Sequence, residues 1–134
     1  MKILVGIDVQ PIDEVEASIR EFGARYSRRL FTIHELESCG ENPLTMARGL
    51  AARFAAKEAV LKILDTRGTV PSWKAIEVRR TEGGQPEIVL SGEAAELARR
   101  QGVGPMALSL SHGGAIATAV VVAQLKKRQF GTSR

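Results

Sequence analysis

The stretch Ala51-Ala-Arg-Phe-Ala-Ala-Lys-Glu-Ala-Val-Leu-Lys62 decides how this chain is read. Between Leu50 and Leu64 its only polar residues are Arg53, Lys57, Glu58 and Lys62. At 100° per residue, Glu58 and Lys62 share one face of a helix while Arg53 and Lys57 share another. One reading makes these two solvated stripes, with a Glu58–Lys62 pair worth about 0.2–0.5 kcal/mol. The other starts from the rest of the perimeter, which is apolar nearly all round and marks a buried helix. A carboxylate on such a helix needs a cation. Both readings stand at this point.

Working outward, a long helix is predicted from about Leu44 to Asp65, opened by the break at Cys39–Asn42 and Pro43. Before it, Lys2–Val9 reads as a strand rich in Ile and Val, stopped by Pro11. Ile12, Val15, Ile19 and Phe22 carry helical spacing over Ile12–Phe22, and Gly23 ends that helix. Arg25–Arg29 reads as a basic turn, and Thr32-Ile33-His34-Glu35 as a capping box opening a short helix. After the long helix, Thr66–Ser72 is a loop. Trp73–Arg80 and Pro86–Leu90 form a hairpin around Glu82-Gly83-Gly84-Gln85. Ser91 caps a helix to about Gln101, Gly102–Pro105 turns, and Met106–Ser111 and Ala115–Leu125 are strands around His112-Gly113-Gly114. The expectation is one α+β domain, residues 1–125, with an antiparallel sheet packed around one long central helix. Residues 126–134 form a basic, flexible tail.

Composition bounds what such a domain can do. The chain has 134 residues, 44% apolar and 25% charged, and 19 Lys plus Arg against 15 Asp plus Glu give a net charge of +4. That is enough residues for a proper core, and the mild positive excess suits an anionic ligand or acidic partner. The single cysteine, Cys39, excludes an intrachain disulfide and a thiolate zinc cage, and fits a reducing cytoplasm. No run reads as a signal peptide or a membrane span. A cytoplasmic protein with no membrane partner is expected. One Trp and one Tyr offer few stacking surfaces, so no nucleic-acid partner is expected either.

Three other positions carry chemistry. Asp8 ends the first strand, where an Asp is commonly a turn-former or cap. His112 follows Ser109-Leu110-Ser111, where it is either a turn-side histidine or part of a phosphate-binding corner of hydroxyls, imidazole and amides. Arg25–Arg29 with Tyr26 is either a solvated face or a docking patch for an acidic surface. No P-loop or dinucleotide fingerprint is present.

Gly6-Ile7-Asp8, Arg53-Phe54-Ala55-Ala56-Lys57-Glu58-Ala59 followed by Lys62, and Ser109-Leu110-Ser111-His112 together resemble the holo-acyl-carrier-protein synthases. These are the small, trimer-forming 4′-phosphopantetheinyl transferases, and the likeness runs in order along almost the whole chain. It implies the phosphopantetheinyl transferase fold and a homotrimer. It also implies transfer of 4′-phosphopantetheine from coenzyme A to a serine of an apo acyl carrier protein or carrier domain, in lipid and fatty-acid biosynthesis, releasing adenosine 3′,5′-bisphosphate. Asp8 and Glu58 are then the magnesium ligands, with Gln10 orienting a metal-bound water. Glu58 activates the serine, and Lys62 beside the diphosphate stabilises or protonates the leaving phosphate. Arg53, Lys62, Thr66, Ser111 and His112 contact the coenzyme, the last two from an adjacent subunit.

The chain departs from the family's pattern in places. Asp65-Thr66-Arg67-Gly68 stands where Gly-Thr-Gly is common, Gln85 replaces a lysine, Gly113 a threonine and Glu14 an arginine. The altered loop motivates the alternative of a non-catalytic relative that binds coenzyme A or a carrier protein.

Overall fold

The computed structural model describes residues 1–126. Strand β1 (Lys2–Pro11) leads into helices α1 (Ile12–Phe22), α2 (Ala24–Leu30), α3 (Ile33–Cys39) and the long α4 (Pro43–Ile63). Strands β2 (Ile76–Arg80) and β3 (Pro86–Leu90), helix α5 (Gly92–Gln101), and strands β4 (Val103–Gly113) and β5 (Ile116–Leu125) complete it. The α+β class and the central helix are as expected.

Helix α4 starts because Asn42 Oδ1 accepts the Leu44 and Thr45 N–H groups, with Pro43 in the first turn where no N–H is needed. It packs on β1, β5, α1, α3 and β2. Ten of its residues are buried, six of them alanines, and these short side chains let the sheet approach closely. The approach is tightest at Gly6, where a Cβ would lie 2.1 Å from the Ala59 carbonyl oxygen. Two apolar clusters divide along the helix. Leu50 and Ala51 join Val15 and Phe31, while Ala59 and Val60 join Ile76, Val78 and Val121.

The antiparallel sheet comes in two pieces, β1-β5-β4 and the hairpin β2-β3. β3 lies against β4 without a ladder between them. β4 is irregular between Val103 and Met106, where Pro105 has no N–H to give. Strand β4 therefore absorbs the predicted turn at Gly102–Pro105, and only Gly102, at φ 73°, turns. Arg25–Arg29 is also not a turn: it lies within α2, whose Ala, Arg and Leu residues favour helix and which contains no Gly or Pro. Trp73–Ala75 is a 3-10 turn ahead of β2. Of the tail expected over 126–134, Lys126 donates its N–H to the Gly102 carbonyl at 2.7 Å, and 127–134 lie outside the described residues.

Register sorts the three-stranded sheet into two faces. Asp8 opposes Ala119 and Gln10 opposes Ala117, which in turn opposes His112, so these side chains share the face toward α4. The other face carries Ile3, Val5, Ile7 and Val9, each between 49% and 61% exposed. Beside that stripe run Thr118, Val120 and Val122 of β5, and Ser109 and Ser111 of β4.

The Arg53–Lys57 side of α4 is buried rather than solvated. Lys57 is fully buried, and its Nζ donates to Glu35 Oε1 at 2.8 Å and to the Trp73 and Ile76 carbonyls. Glu35 is equally buried and closes the capping box with the Thr32 N–H at 2.9 Å, while its Oε2 accepts the Val78 N–H. One carboxylate thus caps α3, neutralises Lys57 and holds β2.

Candidate active site

The close contact at Gly6 sets the depth at which β1 crosses α4, and Asp8, two residues on, emerges on the same side of the strand. It meets the last two turns of α4. Lys62 Nζ donates to Asp8 Oδ1 at 3.1 Å and to the Ile7 carbonyl at 2.7 Å. Glu58, one turn before Lys62, is half-buried beside them. Burial pushes the Glu58 carboxyl above its usual range, the Asp8 charge pushes it further, and Lys62 pulls it back. Two carboxylates from distant parts of the chain therefore converge, and the helical Glu58–Lys62 ion pair considered above is replaced by Lys62–Asp8.

This donor set suits magnesium, which takes one or two carboxylates and fills its other positions with substrate phosphates and water. Asp8 already carries one positive charge, the Lys62 ammonium. Among the described residues no group of three or more His, Cys, Asp or Glu converges. Gln10 lies one pleat beyond Asp8 on its face and donates to the Pro11 carbonyl at 3.3 Å.

Arg53 and His112 lie elsewhere in the same chain. They line a cavity of about 370 Å³ with Cys39, Thr45, Arg48 and Arg80. Arg53 is 5% exposed, donates Nη1 to the Gly49 carbonyl at 3.2 Å, and leaves its buried Nε without a partner. Three guanidinium groups and an imidazole around one cavity make its lining strongly basic. His112 is part of β4 rather than the turn, and Ser111, next to it, faces the opposite side of the sheet.

Thr66 is half-buried in the loop after α4, away from both clusters' hydrogen bonds. Around it, Arg67 grips Asp65 through Nε and Nη2, and the Gln101 amide bonds both the N–H and the carbonyl of Asp65. The arginine partner holds Asp65 down at about 2.

Sequence spacing left Arg48 and Arg80 unnoticed. Arg48 lies on another turn of α4 from Arg53, and Arg80 comes from β2, so no local pattern links them. The basic run Arg25–Arg29 turns out to wall a cleft, with Arg25 and Arg29 set among Phe22, Tyr26, Leu30 and Trp73.

A family model described as the 4′-phosphopantetheinyl transferase superfamily matches residues 4–120. The holo-[acyl-carrier-protein] synthase of Moorella thermoacetica is 43% identical over 119 residues, spanning 89% of this chain and 91% of that protein. Among solved structures, the "Chronobacterium ammoniagenes ACPS-CoA complex" superposes with a TM-score of 0.80 at 28% identity, covering 95% of this chain and 100% of that one. The holo-[acyl-carrier-protein] synthase of Helicobacter pylori in complex with coenzyme A gives 0.75 at 25% identity, covering 90% and 100%.

Proposed function

Given that the chain belongs to the 4′-phosphopantetheinyl transferase superfamily, we propose that it is a holo-acyl-carrier-protein synthase, transferring 4′-phosphopantetheine from coenzyme A to a serine of an apo acyl carrier protein. The observation that carries this reading is the convergence of Asp8, Glu58 and Lys62 from β1 and α4.

Asp8 and Glu58 would hold magnesium, which would supply charge neutralisation for the coenzyme diphosphate and polarisation of the phosphorus bearing the pantetheine arm. Glu58 takes the proton of the carrier serine, directly or through a water. The serine oxygen forms a bond to that phosphorus as the bond to the bridging diphosphate oxygen breaks. Lys62 meets the charge left on the departing adenosine 3′,5′-bisphosphate. Most of the rate comes from positioning and charge stabilisation.

The anionic nucleotide end finds its counterpart in the Arg48–Arg53–Arg80–His112 cavity. That cavity and the carboxylate pair occupy different sides of α4, which supports a site completed between two copies of the chain. The apolar outer face of β1 and β5 supports a homotrimer, with Ser111 on that face. The acidic carrier docks on the cleft walled by Arg25 and Arg29, where Phe22, Tyr26 and Trp73 offer apolar contact. Thr66 contacts the coenzyme from the loop after Lys62, and Gln10 orients a metal-bound water. Residues 1–125 act as one domain. A buried, unpaired Cys39 thiol is in keeping with work in the cytoplasm, in lipid biosynthesis.

Incubation with an apo carrier protein, coenzyme A and magnesium adds the mass of the pantetheine arm to the carrier. Glu58→Ala removes this activity while retaining the native circular dichroism spectrum. Failure of the wild-type protein to modify any of several apo carriers would overturn the reading.

A further inference from the structure

Lys62 does more in this structure than await a phosphate. Its stem leaves the last turn of α4, 52% exposed, and only its tip is anchored, to Asp8 Oδ1 and to the carbonyl of Ile7. Asp8 itself is 16% exposed, and Glu58 stands half-buried beside the pair. Lys62 therefore brings a positive charge to a place where two carboxylates, Asp8 and Glu58, stand near each other. A divalent ion seated on Asp8 and Glu58 stands close to the ammonium already bound at Asp8 Oδ1, and two cations held on one carboxylate repel each other. The long, exposed stem lets the ammonium leave without disturbing the helix.

Building on the phosphopantetheinyl transfer reading, we propose that Lys62 is the resident counter-ion of the Asp8–Glu58 pair, and that its move from Asp8 to the coenzyme diphosphate couples the two ligands. Metal binds weakly to the protein alone, because the Lys62 ammonium competes with it for the charge of Asp8. It binds tightly once the diphosphate holds the ammonium away. Linkage makes the effect mutual, so the metal tightens coenzyme A by the same factor. Direct bonds from metal to phosphate also couple the two ligands. What distinguishes competition by Lys62 is the metal affinity of the protein with no coenzyme present.

That affinity is measured with Mn²⁺, read by the electron paramagnetic resonance signal of the free ion, at constant ionic strength and without coenzyme A. Lys62→Met and Lys62→Gln are each compared with wild type after circular dichroism has confirmed the fold. Both variants bind Mn²⁺ more tightly, by about fivefold or more, the lower end of ordinary coupling between sites. In metal-free titrations both bind coenzyme A more weakly. Arg67→Gln removes an equal charge that touches Asp65 but not Asp8, and leaves the Mn²⁺ affinity at its wild-type value. Unchanged or weaker Mn²⁺ binding in the Lys62 variants overturns the proposal while leaving the transfer reading intact. So does equal tightening by Arg67→Gln, which assigns the effect to the general field. Should wild type bind no Mn²⁺ even with coenzyme A present, or Glu58→Ala bind it as well as wild type, the metal site itself falls and this coupling with it.

Discussion

Single atoms decide much of this molecule. At Gly6 a methyl group would be driven into the Ala59 carbonyl, which is backbone and cannot swing aside. Gly6→Ala should destabilise the fold by about 1–3 kcal/mol, as overpacking of a tight interior does, and displace Asp8 from Lys62. Chemical denaturation gives the first quantity and carrier modification the second. A stable, fully active variant would show that β1 does not need this closeness.

The buried ammonium of Lys57 is a second such place. Lys57→Met alone strands the charge of Glu35 in the interior and should cost about 3–5 kcal/mol. Replacing Glu35 by Met as well should recover part of that loss, since the pair disappears together, although the Thr32 cap goes with it. The Lys57–Glu35 ion pair was invisible in the sequence because its partners are separated by a helix boundary and a loop. The capping box itself could be read there, since its two residues sit three apart and its chemistry is local.

At the level of elements, α3, α4 and β2 are tied by one polar network. Glu77 accepts from Thr32 Oγ1 and from Arg79 Nε at 2.6 Å. Burial works against its ionisation, but these hydrogen bonds and the Arg79 charge prevail and hold its carboxyl below the usual range. A folded-state value below the unfolded one stabilises the protein above the ordinary carboxylate range, and that contribution disappears as pH falls through the lowered value. Thermal melts from neutral to acid pH should therefore lose less stability in Glu77→Gln than in wild type. An unchanged acid limb would contradict this.

Elements whose signals are periodic or punctuated were legible in the sequence: α1 ends at Gly23, α4 opens at Pro43 and the β2–β3 hairpin turns on Gly83-Gly84. What escaped was settled by neighbours rather than by spacing. Helix α2 carries a run of charges straight after Gly23, a turn-like signal that its helix-favouring Ala, Arg and Leu residues outweigh. Strand β4 runs back through Val103–Pro105 because β5 offers it a partner at Leu125. The carboxylate cluster was legible only as part of a resemblance; nothing local in either segment announces that Asp8 and Glu58 meet.

For the whole molecule, the exposed apolar stripe is the feature in need of an occupant. Four branched side chains on one strand face, about half exposed each, form the kind of patch that soluble proteins cover. Val5→Asp places a charge at its centre. In sedimentation equilibrium the variant should run as a smaller species than wild type, with secondary structure unchanged and transferase activity reduced at least tenfold. Identical mass for both proteins would move the subunit contact elsewhere.

The separation of the two polar clusters has one more outcome. Within a chain, Asp8, Glu58 and Lys62 gather at one side of α4, and Arg53, Arg48 and His112 gather at another. In the proposed trimer a working centre borrows one cluster from each of two neighbours. Two inactive preparations, Glu58→Ala and a cavity variant such as His112→Ala, should then rescue each other when unfolded together and refolded as a mixture. In a hybrid assembly some junctions receive both intact halves, so activity returns from parents that separately have almost none.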